Sequence, residues 1–216
     1  MRKILLQRLG AALIYFMAGA AAAEAPAFDY ATAAKEPAPE ILSSIRKMQD
    51  VELLRGEFKQ RKNLKILKQP FLSNGWFIFS RNDGLYWEIT EPLPGAYLIG
   101  KKGIRPAAGS SGTSVDSPFA DGVGRMFSSI MGARLEELES YFDIYYRSLG
   151  SRWQLGLKPR NSRIATFMSG IEITGGRYID TIRIVEGGGD TTEITFTAVT
   201  EELPDGLASR YFNAQQ

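Results

Sequence analysis

The chain has neither cysteine nor histidine. Without thiols there is no disulfide framework, no cysteine-based metal site and no thiol nucleophile. Without imidazole, the usual Ser-His-Asp triad and most zinc sites are excluded. Only carboxylate pairs, Ser-Lys dyads and oxygen-ligand metal sites stay open to catalysis. Excess charge is lacking too: 26 Lys+Arg face 24 Asp+Glu, a formal +2 over 216 residues. The most apolar stretch, residues 9–20, is interrupted by Gly10 and Gly19 and is shorter than the roughly 20 residues of a membrane span.

That stretch instead completes a secretory signal over residues 1–23. Arg2, Lys3 and Arg8 give the basic start, and Ala21-Ala22-Ala23 stands before Glu24 as the cleavage step. Cleavage after Ala23 leaves 193 residues and takes the formal charge from +2 to −1, which removes the electrostatic case for nucleic-acid binding. No cysteine follows the signal, so the exported chain is not expected to be a lipoprotein itself. The Ala- and Pro-rich residues 24–39 read as a flexible leader, and residues 40–216 as a single domain, long enough for one well-formed core.

The most informative stretch is SNGWFIFSRNDGLYWEITEP, residues 73–92. Two apolar-aromatic runs, 75–80 and 85–90, flank Asp83-Gly84, a pair that supplies the positive φ angles of tight hairpin turns. Alternation puts Phe77, Phe79 and Arg81 on one face and Trp76, Ile78 and Ser80 on the other. Leu85, Trp87 and Ile89 share a face of the second strand. An arginine on a face of Phe, Leu and Trp is anomalous, whether it serves the fold's interior or simply sits beside a turn, bonding Asp83 or water.

Around this hairpin, residues 40–49 place Ile41, Leu42, Ile45 and Met48 at helical spacing behind Pro39. Residues 53–66 shift to period two: Phe58, Gln60, Lys62, Leu64 and Ile66 alternate with Glu57, Lys59, Arg61, Asn63 and Lys65. So many lysines suggest a solvated edge strand. After short strands near Tyr97, Ile99 and Ile104 comes a small-residue loop, 107–116, with no phosphate-loop spacing. A helix then carries Phe119, Val123, Met126, Phe127, Ile130 and Met131 at steps of three and four. Its Met and Phe suit ordinary packing or an adaptable lid. Residues 134–140 add a charged turn or helix. The remainder reads as strands: 141–148, then Trp153 to Leu157, 164–174, 177–185 and 191–199, with Gly187-Gly188-Gly189-Asp190 as a hairpin turn. Tyr211 and Phe212 can fold back onto the sheet. About ten short strands with one or two helices imply a strongly curved antiparallel sheet, closed or half-closed, mainly β with helices (α+β).

The chain resembles the outer-membrane lipoprotein carrier family, the LolA type, in its divergent LolA-like branch. The resemblance rests on Phe58-x-Gln60, Gly75, Arg81 six residues later, Trp87 six after that, Glu91-Pro92 and Ile194-x-Phe196, and on their order over most of residues 40–212. Asn82 stands where the family has proline, and the 107–116 loop also departs from it. The resemblance implies an unclosed antiparallel β-barrel, or half-barrel, with an α-helical lid, located in the periplasm. It implies a cavity lined by Phe58, Phe77, Phe79, Leu85, Trp87, Ile89, Ile194 and Phe196, under a lid of Ile41, Ile45, Met48, Phe119, Val123, Met126, Phe127 and Ile130. It further implies that Arg81 locks the empty lid by bonding to helix backbone. The expected partners are an acylated lipoprotein or other lipid cargo, an inner-membrane donor and an outer-membrane acceptor, with the carrier a monomer and needing no cofactor or metal. Two alternatives stay beside this: a module that senses lipid or lipoprotein and reports to a membrane regulator, and a hydrolase using Glu57, Glu88 or Asp143. Those carboxylates sit on charged faces with no paired spacing, so no catalytic residue is expected.

Overall fold

A computed structural model describes residues 28–100, 103–110, 118–204 and 206–212. The signal segment, the start of the leader and residues 111–117 of the small-residue loop lie outside the described residues. Chain order gives α1 Pro39–Gln49, β1 Leu53–Asn63, β2 Phe71–Ser80, β3 Gly84–Glu91, β4 Gly95–Gly100 and β5 Gly103–Pro106. Then come α2 Pro118–Met131, α3 Leu135–Glu139, β6 Phe142–Leu149, β7 Arg152–Pro159 and α4 Ser162–Phe167. The chain closes with β8 Met168–Gly175, β9 Ile179–Glu186, β10 Thr191–Thr200 and α5 Leu207–Phe212.

All ten strands form one antiparallel sheet in the order β5-β4-β3-β2-β1-β10-β9-β8-β7-β6. The edges β5 and β6 are not joined, so this is an open half-barrel of α+β type. The central hairpin forms as its residues dictate. Gly84 takes φ +103°, and Phe77 pairs with Trp87 and Phe79 with Leu85. Gly75 sits at a register shift in β2, where a Cβ would overlap the Glu88 carbonyl of β3. Only glycine fits that approach.

The expectation of an edge position for the lysine-rich strand is corrected. β1 lies mid-sheet between β2 and β10, and its inward Phe58, Gln60 and Lys62 are buried. Lys62 apart, the charges are its outward face, and an outward face looks alike at the edge and in the centre of a sheet. The strand stops at Asn63, leaving Ile66 in an exposed loop. A second correction concerns residues 162–167. They form α4, with the Asn161 carboxamide accepting the Ile164 N–H as its cap, so β8 begins only at Met168.

Each face of the sheet has its own cover. The inward face of the curved sheet and helices α1 and α2 share one large apolar core. On the outside of β2–β4, α5 folds back as the sequence suggests. Tyr211 packs 4.5 Å from Tyr86 and 5.2 Å from Trp76, and Phe212 is buried. The last part of the expected loose leader is fastened instead. Phe28 is buried beside Gly156, whose missing side chain makes the room. Its N–H donates to Glu172 Oε1 at 2.9 Å. Ala34 exchanges backbone bonds with Tyr146. The carboxylate beneath this strap is itself held by Arg183, at 2.8 Å.

Candidate functional site

Helix α1 owes its start to Pro39 in the first turn, with Glu40 near its positive end and Arg46 and Lys47 near its negative end. Its buried stripe, Ile41, Ile45 and Met48, lies on the inward face of the sheet. Helix α2 contributes Met126, Phe127 and Ile130 to the same core. Phe119 and Val123 belong to α2, but their side chains lie outside the described ones. From the sheet, all eight expected lining residues (Phe58, Phe77, Phe79, Leu85, Trp87, Ile89, Ile194 and Phe196) enter this one cluster.

Trp87 is its hub. Phe58 stacks on it with ring centres 3.6 Å apart, and Phe77 lies at 6.2 Å. Phe127 of α2 meets it edge-on at 5.8 Å, so this tryptophan joins sheet to helix. Among the described residues its buried indole N–H has no hydrogen-bond partner, and neither does the buried Ser73 hydroxyl. Among the described residues, a gap bordered by Ile45, Met48, Ile130, Leu138, Trp153 and Ile173 amounts to about 10 Å³, room for one water at most, so an alkyl chain enters there only if the helices move.

Arg81 follows the last residue of β2 and reaches the end of α1. Its Nη2 donates to the Met48 carbonyl at 3.0 Å and to the Val51 carbonyl at 2.8 Å, and its Nε donates to Val51 at 3.1 Å. Glu52 is a looser ionic neighbour at 3.6 Å, largely exposed to water. The Asp83 carboxylate, the alternative partner, is taken by the Ser80 hydroxyl at 2.6 Å. A guanidinium at a helix C-terminus meets orphan carbonyls and the negative end of the dipole together. Sequence reading missed a second fastening. Gln49 donates to the Ala133 carbonyl at 2.9 Å, tying α1 to the turn after α2. A glutamine at a helix end gives no periodic signal to mark it.

Away from the helices the inward face turns polar. Buried Lys62 donates to Glu186 at 2.8 Å, and Thr192 reaches the same oxygen at 3.4 Å. Gln60 and Ser73 lie buried beside them. The three candidate carboxylates are not brought together with one another as an acid–base pair. Glu57 is exposed on β1, Glu88 accepts the Tyr86 hydroxyl at 2.7 Å, and Asp143 pairs with Arg160 at 2.9 Å on the far strand β6.

No family model and no curated protein matches the sequence. Among solved structures, a LolA superfamily protein, NE2245 of Nitrosomonas europaea, is similar at 12% identity and TM-score 0.42, over 77% of this chain and 96% of that one. The Pseudomonas aeruginosa MucA/MucB complex is similar at 12% identity and TM-score 0.44, over 74% of this chain. The chain spans only 55% of the length of the one it matches there. A DUF1329 family protein of Desulfovibrio piger follows at 11% identity and TM-score 0.35, over 81% and 95%.

Proposed function

We propose that this protein is a periplasmic carrier that shelters the acyl chains of lipidated cargo between the curved sheet and helices α1 and α2. The observation that carries the reading is the fastening of α1 by Arg81: three charge-assisted bonds to the carbonyls of Met48 and Val51. These bonds are strong enough to hold a lid and open to exchange with water, because Arg81 is one-fifth exposed. The inward face they cover is aromatic and aliphatic throughout its lid end. Trp87 adds a donor in need of an acceptor, which the carbonyl of an acyl ester or amide supplies.

Energetics favour such a device. An alkyl chain gains about 0.8 kcal/mol per buried CH₂, so a long chain bound at full strength would not be released. A lid whose own Ile, Met and Phe side chains compete for the same surface lowers the net affinity. Charge-assisted bonds of about 1.5–3 kcal/mol bias the empty, closed form further. Removing that bias raises the apparent affinity by roughly ten- to a hundredfold. The test is titration of the purified protein with a fluorescent fatty acid. Wild type binds saturably, and Arg81→Leu binds more tightly and releases the probe more slowly. Absence of binding in both proteins would end the carrier reading.

A further inference from the structure

Among the described residues seven large hydrophobic side chains are exposed, and six of them sit at one end of the sheet, where β1, β3, β7 and β9 finish. Ile66 is 87% exposed, Leu93 54% and Phe167 50%, with Leu67 and Leu72 at 40%. They are brought together by the fold rather than by sequence. The Lys65 N–H donates to Asp190 Oδ1 at 2.9 Å, and the Gly187 N–H donates to the Phe167 carbonyl at 2.9 Å. The 64–70 loop and the end of α4 therefore brace on the same turn between β9 and β10. Across the sheet, Asn74 pairs with Glu91 and donates to it at 3.1 Å, which sets Leu72 near Leu93. Lys65 and Lys68 bracket Ile66-Leu67, and Arg163 is exposed on α4. Of the acids at this end, Asp190 accepts the Lys65 N–H, Glu91 accepts from Asn74 and Glu186 pairs with Lys62, while Glu193 stands in register between Arg61 and Arg183.

The apolar tips are carried on separate loops. The hollow of about 390 Å³ beside Leu72 is lined, Leu72 and Pro92 apart, by polar and charged residues such as Lys59, Arg61, Asn74 and Glu193, so it offers a partner helix no apolar groove. A bilayer interface accepts such tips singly at headgroup depth, while its phosphates take the flanking ammonium groups. We infer that this end of the molecule docks on the surface of an anionic phospholipid bilayer, Ile66 and Leu67 entering the headgroup region and Lys65 and Lys68 resting on phosphates. The Arg81 fastening is at the opposite end, where β2 finishes and β3 begins, so docking leaves it free to act. The inference goes beyond the carrier reading and does not require it.

Co-sedimentation with phosphatidylethanolamine/phosphatidylglycerol vesicles, and separately with phosphatidylcholine vesicles, tests it. The purified protein is expected to sediment with the anionic vesicles and much less with the neutral ones. Ile66→Asp with Leu67→Asp should lower that partitioning about tenfold or more. Lys65→Gln with Lys68→Gln should lower it at low salt and less at high salt. Ile66→Ser with Leu67→Ser serves as a milder pair should the aspartates disturb folding. All variants should bind a fluorescent fatty acid as wild type does, which separates this test from that of the carrier site. Failure of the wild type to sediment with either vesicle, or sedimentation of both loop pairs at the wild-type level, overturns the inference.

Discussion

In the proposed carrier, two residues keep an apolar interior closed without sealing it. Arg81 contributes no apolar surface, yet its fork grips the carbonyls of Met48, in the last turn of α1, and of Val51, just beyond the helix. Trp87 is the largest of the fully buried side chains and carries one unmet donor. Its N–H, buried without an acceptor, costs about 1–3 kcal/mol, which a ligand carbonyl would recover. Tyrosines outside this interior give a prediction about pH. Burial raises the Tyr30 hydroxyl to about 12, with the neighbouring Glu172 adding to the shift. Burial and a hydrogen bond to Glu88 raise Tyr86 as well. Both stay protonated in the folded chain where an unfolded tyrosine, near pKa 10, has begun to ionise. Their contribution to stability is whole below about pH 10 and declines as pH rises from there toward about 12. Thermal midpoints measured across that interval should fall steadily, and the fall should be shallower in Tyr30→Phe; identical slopes would remove Tyr30 from the explanation.

At the scale of elements, the sequence was most readable where chemistry is local. Asp83-Gly84 between two alternating runs marks a hairpin because a tight turn needs positive φ. Pro39 before Ile41, Ile45 and Met48 marks a helix for equally local reasons. What could not be read depends on partners far along the chain. The place of β1 in the middle of the sheet is decided by β10, whose pairing runs from Asn63 with Thr191 to Arg55 with Thr200, far along the chain. Helix α4 was read as strand because Ile164 continues an apparent alternation; its signal is Asn161 as cap, a cue to where a helix starts that alternation obscures. The strap over residues 28–34 was hidden because Phe28 packs on a face emptied by Gly156 and bonds to Glu172, 144 residues away. Its weight can be measured. Phe28→Ala should cost about 3 kcal/mol in denaturant unfolding, the usual cost of deleting a buried phenyl ring, while acyl binding on the inner face persists. A loss within about 0.5 kcal/mol, the range of an ordinary surface substitution, would mean the strap is dispensable. Of the candidate site, the inward burial of the eight sheet residues and of Ile41, Ile45, Met48, Met126, Phe127 and Ile130 was legible, because period-two and period-3.6 patterns both report which face is inward; their roles as lining and lid belong to the proposal. The Gln49–Ala133 bond and the Lys62–Glu186 pair were not, since each joins residues far apart in the chain, 84 and 124 positions respectively, with no local pattern to link them.

The whole molecule is a ten-stranded sheet curved round its own apolar face, open between β5 and β6, and closed from above by helices rather than by strands. A closed barrel could admit a ligand only through its ends. A half-barrel roofed by helices can admit one by lifting the roof, and the roof here is fastened mainly by a few hydrogen bonds and by packing that an alkyl chain can replace. That exchange is the central claim, and Trp87 is placed to report it from inside. In a chain carrying Trp76→Phe and Trp153→Phe, Trp87 is the only tryptophan left, and fatty acids brominated along the chain quench an indole only on close approach. Titration with such a fatty acid should quench Trp87 emission saturably, and more completely in the presence of Arg81→Leu. Emission that stays unchanged while the fatty acid is bound elsewhere, or not bound at all, would contradict the account.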